Sequence, residues 1–336
     1  MSIKITDTIK PFILLGKSLQ TMDNSTFENL CEGAASENPW FTSENIKRAL
    51  DGIIYQLDES KLMQWTGKYT LNYQQKTIGI VMAGNIPFVG FHDFLSVLVS
   101  GNKIMAKLSS KDTVLPKFII QKLLEIAPEL SSSILLVEKL KDFDAVIATG
   151  SDNSSRYFDY YFDKYPNLIR KNRSSIGILS GYESEEDLQL LGEDIFSYFG
   201  LGCRNISKLY LPENYDIERL KNAWSIFSTL QHHHKFRNNY EYNRSIYLVN
   251  RVPHEDFDFA MLKEGNELSS PISVIHYEYY TSREKLMSKL QLQSSKIQCI
   301  STSDGAGNTV KFGQCQRPEL WDYADGYDTM NFLCGL

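Results

Sequence analysis

Thr77-Ile-Gly-Ile-Val-Met-Ala-Gly-Asn-Ile-Pro-Phe-Val-Gly90 is the stretch on which the fold turns. Its first six residues are a near-continuous apolar run, the pattern of a parallel strand buried on both faces. Gly84, Pro87 and Gly90 then punctuate a loop. Working outward, residues 91–100 read as a helix and 101–110 as turn, strand and exit loop. A helix over 114–127 follows, then strands over 133–137 and 145–148. This β-α-β rhythm predicts an α/β fold built on a doubly wound parallel sheet. Such sheets bind ligands at the loops leaving the carboxyl ends of their strands. Three of those loops carry chemistry-capable residues: Asn85, Lys107 and the pair Gly150-Ser151.

Upstream, the chain reads as helices to about Tyr69. Ile46, Leu50, Ile53 and Leu57 form one apolar stripe, with Thr42 or Ser43 as its cap. Downstream, a strand over 176–179 leads into an acidic helix over 183–198. Helices over 215–231 and 282–292 and strands over 245–249, 272–277 and 297–300 complete a second α/β lobe. The boundary falls near 172–175, giving lobes of 1–173 and 174–336. The tail over 312–330 holds too many aromatic and turn residues to be disordered and reads as a folded closing segment of the second lobe.

The acidic helix ends in Tyr198-Phe-Gly-Leu-Gly-Cys-Arg-Asn-Ile-Ser-Lys-Leu-Tyr-Leu-Pro212. Cys203 thus sits between a Gly-x-Gly step and a strand, a small-residue turn that a substrate can approach closely. A cysteine there is a candidate nucleophile; taken alone, it is more often a small buried hydrophobe.

The totals narrow the classes. With 336 residues, 42% hydrophobic and 23% charged, the chain is long enough for two cores. A net charge of -6 argues against nucleic-acid binding, which needs a basic face. No apolar run approaches the roughly 18 residues of a membrane span, and no signal-peptide core opens the sequence. Five cysteines stand at 31, 203, 299, 315 and 334 without C-x-x-C or zinc spacing, so a reduced, cytoplasmic protein is expected. His232-His-His234 lacks carboxylate or cysteine partners at ligand spacing and reads as a solvated or packed cluster; no metal is expected. His92 reads as a packed histidine.

Taken in order, these residues resemble the aldehyde dehydrogenase superfamily, and more closely its acyl-CoA reductase branch of the LuxC type. Gly84-Asn85-Ile86-Pro87 resembles the Asn-Phe-Pro loop, whose Asn amide donates to the oxyanion. Gly101-Asn102 through Lys107 resembles the Gly-Asn…Lys strand, whose Lys binds the adenosine ribose. Thr149-Gly150-Ser151 resembles the Thr-Gly-Ser on the pyrophosphate. Cys203 matches the catalytic cysteine. Glu267, in Asn266-Glu-Leu-Ser-Ser-Pro271, resembles the Glu that holds the nicotinamide ribose. The resemblance implies a Rossmann-type cofactor lobe and a nucleophile-bearing lobe. Ser110, followed by Lys111, stands where NAD-preferring relatives often carry Glu, which leans the cofactor to NADPH, with NADH as the alternative.

One departure bears on the reaction. The superfamily's Glu-Leu-Gly-Gly should precede Ile176, but Leu168-Ile-Arg-Lys-Asn-Arg-Ser-Ser175 holds no carboxylate. An oxidising enzyme needs that base to activate water against its acyl-cysteine; a thioester reductase does not, because hydride attacks instead. The expectation is therefore reduction of a fatty acyl thioester, carried by CoA or an acyl carrier protein, through acyl-Cys203, with Asn85 in the oxyanion hole. An aldehyde dehydrogenase and a non-catalytic acyl-binding subunit of the same fold are the alternatives. The chain is shorter than typical relatives, which argues against its carrying all of their oligomerising elements; a homodimer is the assembly expected if it has one. No base for the Cys203 thiol is legible, and the helix before it would aim its negative end at the sulfur.

Overall fold

The computed structural model describes residues 5–71, 74–150 and 152–336. The chain forms two compact units, one of Met1–Asn172 with Pro318–Leu336, the other of Arg173–Arg317.

The first unit opens with four helices, α1 (Ile5–Gln20), α2 (Asn24–Glu37), α3 (Ser43–Gln56) and α4 (Glu59–Thr66). Thr42 caps α3 by accepting from Asn45 N, and Ile46, Leu50, Ile53 and Leu57 are buried along its stripe. There follow β1 (Thr77–Val81), α5 (Phe91–Val99), β2 (Lys103–Lys107), α6 (Val114–Ile126), β3 (Ile134–Leu136), β4 (Ala145–Thr149), α7 (Asp152–Phe162) and β5 (Asn167–Arg170). The five strands make an all-parallel sheet in the order β3-β2-β1-β4-β5. The order reverses at β1, whose Val81 lies between Lys107 of β2 and Ala148 of β4. That reversal is the topological switch point, where doubly wound sheets bind ligands. β1 is as apolar as its sequence promises, with Ile78 and Ile80 buried.

The second unit contains β6 (Ser174–Ile178), α8 (Glu185–Phe196), β7 (Ile206–Pro212), α9 (Glu218–Trp224), α10 (His234–Val249), β8 (Glu255–Asp256), β9 (Met261–Glu264), β10 (Val274–Tyr280), α11 (Arg283–Gln291), β11 (Ile297–Thr302) and β12 (Val310–Lys311). Its seven-stranded sheet runs β12-β11-β6-β7-β10-β9-β8 and is parallel except for the β8–β9 pair. Gly192 of α8 lets α9 and the following turn close in, since a Cβ there would stand 2.3 Å from the Phe227 ring.

Two expectations change. Residues 245–249, read as a strand, are the last turn of α10. Their β-rich composition yields to a helical stripe of Phe236, Tyr240, Asn243 and Tyr247, buried at i, i+4, i+7 and i+11. The tail also returns to the first unit, not the second. Its last helix, α12 (Thr329–Cys334), and the residues before it are tied there by buried polar groups. Tyr323 OH accepts from Trp65 Nε1 at 2.6 Å and meets Tyr69 OH at 2.8 Å. Arg170, buried at the end of β5, donates to Asp93 (2.6 Å), to the Ala324 carbonyl (2.7 Å) and to Thr329 Oγ1 (2.9 Å). His92 belongs to the same cluster: its Nε2 lies 2.9 Å from the Leu320 carbonyl, and its ring packs on Trp65 and Tyr323.

No helix among the described residues is long and apolar enough to cross a membrane.

Candidate active site

In the second unit, the turn bearing Cys203 is built from its polar supports. After α8 the chain takes three consecutive left-handed residues, Tyr198 (φ 51°), Phe199 (φ 58°) and Gly200 (φ 76°). Two of these are aromatic and strained, a conformation that persists only where the surroundings hold it. Buried Asn205 supplies much of that hold. Its Nδ2 donates to the carbonyls of Ser197 (2.7 Å), Asp194 (3.1 Å) and Ile195 (3.3 Å), and its Oδ1 accepts from Gly202 N at 2.8 Å. The helix end expected to bear negatively on the thiol is therefore covered by an amide.

Cys203 itself is exposed. From beneath, buried Ser175 donates its hydroxyl to the Cys203 carbonyl at 2.9 Å, and the same oxygen lies 2.9 Å from Cys299 Sγ on β11. Arg204, adjacent to the candidate nucleophile, bears on that second thiol. A hydrogen bond from Cys315, then the Arg204 charge, hold Cys299 below the usual thiol range against its burial, while Cys315 is pushed up. Asp194 closes the cluster by accepting from Gly313 N (2.8 Å) and Cys315 N (3.0 Å), and burial pushes its carboxyl up to about 6.

Glu267 lies on the loop between β9 and β10, its side chain 67% exposed. The loop rests on β7 just beyond Cys203: Ser207 Oγ donates to the Leu268 carbonyl at 2.7 Å, and the Lys208 ammonium donates to the Gly265 carbonyl. Lys208 is fully buried, and burial pushes its pKa down against the pull of Glu278 at 3.4 Å. His276 lies 3.3 Å from the Glu267 carbonyl, and burial lowers its pKa. Neutral at neutral pH, it makes a polar contact with Glu267 and not an ion pair. Glu267 is held below the usual carboxylate range first by its own backbone N–H.

In the first unit, the switch point gathers Asn85, Lys107, Ser110 and Gly150 at the carboxyl ends of β1, β2 and β4. Asn85, Lys107 and Ser110 are exposed, and Gly150 follows Thr149 directly. Ser151 lies outside the described residues. The Asn85 loop is seated tightly. A Cβ on Gly84 would stand 2.6 Å from Ser109 Oγ and 3.2 Å from Asp112 Cβ, so only glycine fits. Asn38 Nδ2 donates to the Gly84 carbonyl at 3.1 Å. The exposed ammonium and hydroxyl at the end of β2 are donors of the kind a phosphorylated ribose would take.

Residues 20–170 match the family described as acyl-CoA reductase (LuxC). That match covers a little under half of the chain and stands as a likeness to the family. The fold of the chain resembles the aldehyde dehydrogenase of Bacillus cereus, solved as an NAD+ complex, with a TM-score of 0.63 at 11% identity over 89% of this chain and 72% of that one. It resembles the Mycobacterium tuberculosis enzyme complexed with NAD+ at a TM-score of 0.62 and 12% identity, over 89% and 73% of the two chains. KauB of Pseudomonas aeruginosa gives 0.59 at 10% identity, over 89% and 72%. No curated protein sequence matches this chain significantly.

Four supports of these candidate residues, three in the second unit and one in the first, escaped the sequence reading. Asn205 and Ser175 hold the Cys203 turn, Lys208 holds the Glu267 loop, and Asp112 lies under Gly84. Only Lys208 left a trace, as a charge inside the otherwise apolar alternation of β7.

Proposed function

We propose that the protein reduces a fatty acyl thioester to the aldehyde with NADPH, through an acyl-Cys203 intermediate. The observation that carries this is an exposed thiol on a turn supported by Ser175 and Asn205, in a chain whose residues 20–170 match the LuxC acyl-CoA reductase family and whose residues 168–175 hold no carboxylate. Cys203 as thiolate attacks the thioester carbonyl, forming a C–S bond. The oxyanion takes hydrogen bonds from Asn85 and the Cys203 backbone N–H, each typically worth ~3 kcal/mol. The carrier thiolate leaves and takes up a proton. A bound nicotinamide nucleotide supplies the hydride. The resulting thiohemiacetal collapses to aldehyde and regenerates the Cys203 thiol.

Lys107 and Ser110 would hold the cofactor's phosphorylated ribose, Gly150 with Ser151 its pyrophosphate, and Glu267 its nicotinamide ribose. Without a carboxylate to deprotonate water, the acyl-enzyme outlives hydrolysis and waits for hydride. CoA is the proposed carrier, with an acyl carrier protein as the alternative donor.

The test is NADPH oxidation with a panel of acyl-CoAs, beside aldehyde plus NADP+ without CoA. Acyl-CoA-dependent oxidation and an acyl mass adduct on Cys203, both abolished in Cys203→Ser, are expected. Efficient CoA-free aldehyde oxidation would replace this reading with an aldehyde dehydrogenase. An active protein without the adduct would sink the covalent route.

A further inference from the structure

Lys208 is a charge that the apolar pattern of β7 does not explain. The strand is central in its sheet, between β6 and β10, and Ile206, Leu209, Tyr210 and Leu211 beside Lys208 are buried. Lys208 is 0% exposed, and a lysine so placed gives up the hydration of its ammonium. An apolar side chain of similar volume would avoid that loss, and such exchanges are often neutral or stabilising. What an apolar side chain could not supply is a donor to the loop between β9 and β10. The Lys208 ammonium donates to the Gly265 carbonyl, and Ser207 Oγ donates to the Leu268 carbonyl at 2.7 Å. From β10, His276 Nδ1 lies 3.3 Å from the Glu267 carbonyl. The carbonyls around Glu267 are thus met by side chains of two neighbouring strands, whereas loop carbonyls ordinarily turn to water. The Glu267 side chain itself is left 67% exposed, its Oε2 4.0 Å from His276 Nδ1.

We infer that Lys208 is a positioning residue for the cofactor: through the Gly265 carbonyl, its buried ammonium sets the loop that presents the Glu267 carboxylate to the hydroxyls of the nicotinamide ribose. A carboxylate held in place before the ligand arrives loses little ordering entropy when it accepts those hydroxyls. Lys208 fixes the start of the loop, two residues before Glu267, and Ser207 fixes it one residue after. In this role Lys208 touches neither the cofactor nor the reacting atoms. The inference rests on the reading of Glu267 as the ribose ligand and adds what holds it there.

The test sets cofactor binding against the state of the Cys203 turn at the head of the same strand. Dissociation constants for NADPH and NADH are measured by fluorescence, and the rate at which iodoacetamide alkylates Cys203 is followed by mass spectrometry. Lys208→Met removes the donor and keeps the length; Glu278, 3.4 Å from the ammonium, also accepts from Lys289 and so stays paired. The variant is expected to bind the nucleotide about tenfold more weakly, the worth of one hydrogen bond, and to alkylate at the parent's rate. Lys208→Gln, which restores a donor, is expected to recover part of the affinity. In a Glu267→Gln background Lys208→Met is expected to add little, because the two act through one contact. Alkylation altered as much as nucleotide binding would mean that Lys208 only packs β7. The full effect in the Glu267→Gln background would mean that it does not act through Glu267. Either result overturns the inference. If Lys208→Met does not fold, Ser207→Ala takes the same measurements with the same expectations, and parent-like nucleotide binding there overturns it. A parent that binds neither nucleotide, or Glu267→Gln that binds as tightly as the parent, overturns the ribose reading and this inference together. Binding weakened in Glu267→Gln but not in Lys208→Met overturns the inference alone.

Discussion

At the scale of single residues, the site depends on groups whose environment departs from the ordinary, and Asp112 departs furthest among the carboxylates discussed. It sits 2% exposed under Gly84, with its pKa raised to about 7 from an ordinary 3.8 by desolvation. A carboxyl held above its unfolded pKa costs the fold nothing at low pH, where both states are protonated. The cost grows as pH rises from about 4 to about 7 and is complete above that. Asp112→Asn keeps an oxygen acceptor and removes the charge. Thermal melts should therefore show the variant close to the parent near pH 3 and more stable near pH 8, by a few kcal/mol. An equal shift at both values would mean that Asp112 is not a buried titrating group. Cys203, Asn85 and Glu267 stand out as candidates because their residue types and order resemble a family pattern. Asp112, Asn205 and Ser175 do not, because what makes them matter is burial and a partner brought in by the fold: Asn205 gathers three carbonyls from the end of α8. Nothing in the local sequence announces that.

At the scale of elements, apolar periodicity located β1, β2, β4 and their helices because a strand buried on both faces has no other way to be written. It failed at residues 245–249, where Ser-Ile-Tyr-Leu-Val carries strand composition without a turn signal before it. The structure extends α10 through this run, and the two readings place the same side chains differently. A strand would put Tyr247 and Val249 on one face, two residues apart. The helix buries Tyr247 to 8% exposure and leaves Val249 82% exposed. Tyr247→Ala should therefore cost about 3 kcal/mol of stability, as a buried aromatic truncation does, while Val249→Ala stays within about 0.5 kcal/mol. Chemical denaturation of both variants checks it, and comparable losses at the two positions would contradict the helical phase. The left-handed pair Tyr198-Phe199 was illegible for a related reason. Bulky residues rarely adopt positive φ, and the strain is imposed by what Asn205 and the Cys203 turn require.

At the scale of the whole molecule, the rhythm of strands and helices leads one to expect two α/β lobes divided near 172–175, and the chain clusters into units that part after Asn172. That rhythm carries no sign of where the tail goes. Its contacts join residues more than 250 positions apart, such as Trp65 with Tyr323 and Lys61 with Glu319, and a pairing of that range leaves no period or motif in either partner. The tail is nonetheless structural for the first unit. Without it, the Trp65 indole N–H and the Tyr69 hydroxyl lose Tyr323. Arg170 keeps Asp93 but loses the Ala324 carbonyl and the Thr329 hydroxyl. Its Nε already has no partner, so the guanidinium would be left buried and largely unsatisfied, a condition that typically costs several kcal/mol. A chain ended at Arg317 should accordingly lose hydrogen-exchange protection in α3, α4 and β5, all in the first unit, while β6, β7 and β10 exchange as in the full chain. Protection lost chiefly from β6, β7 and β10 would return the tail to the second unit, where its composition alone had placed it.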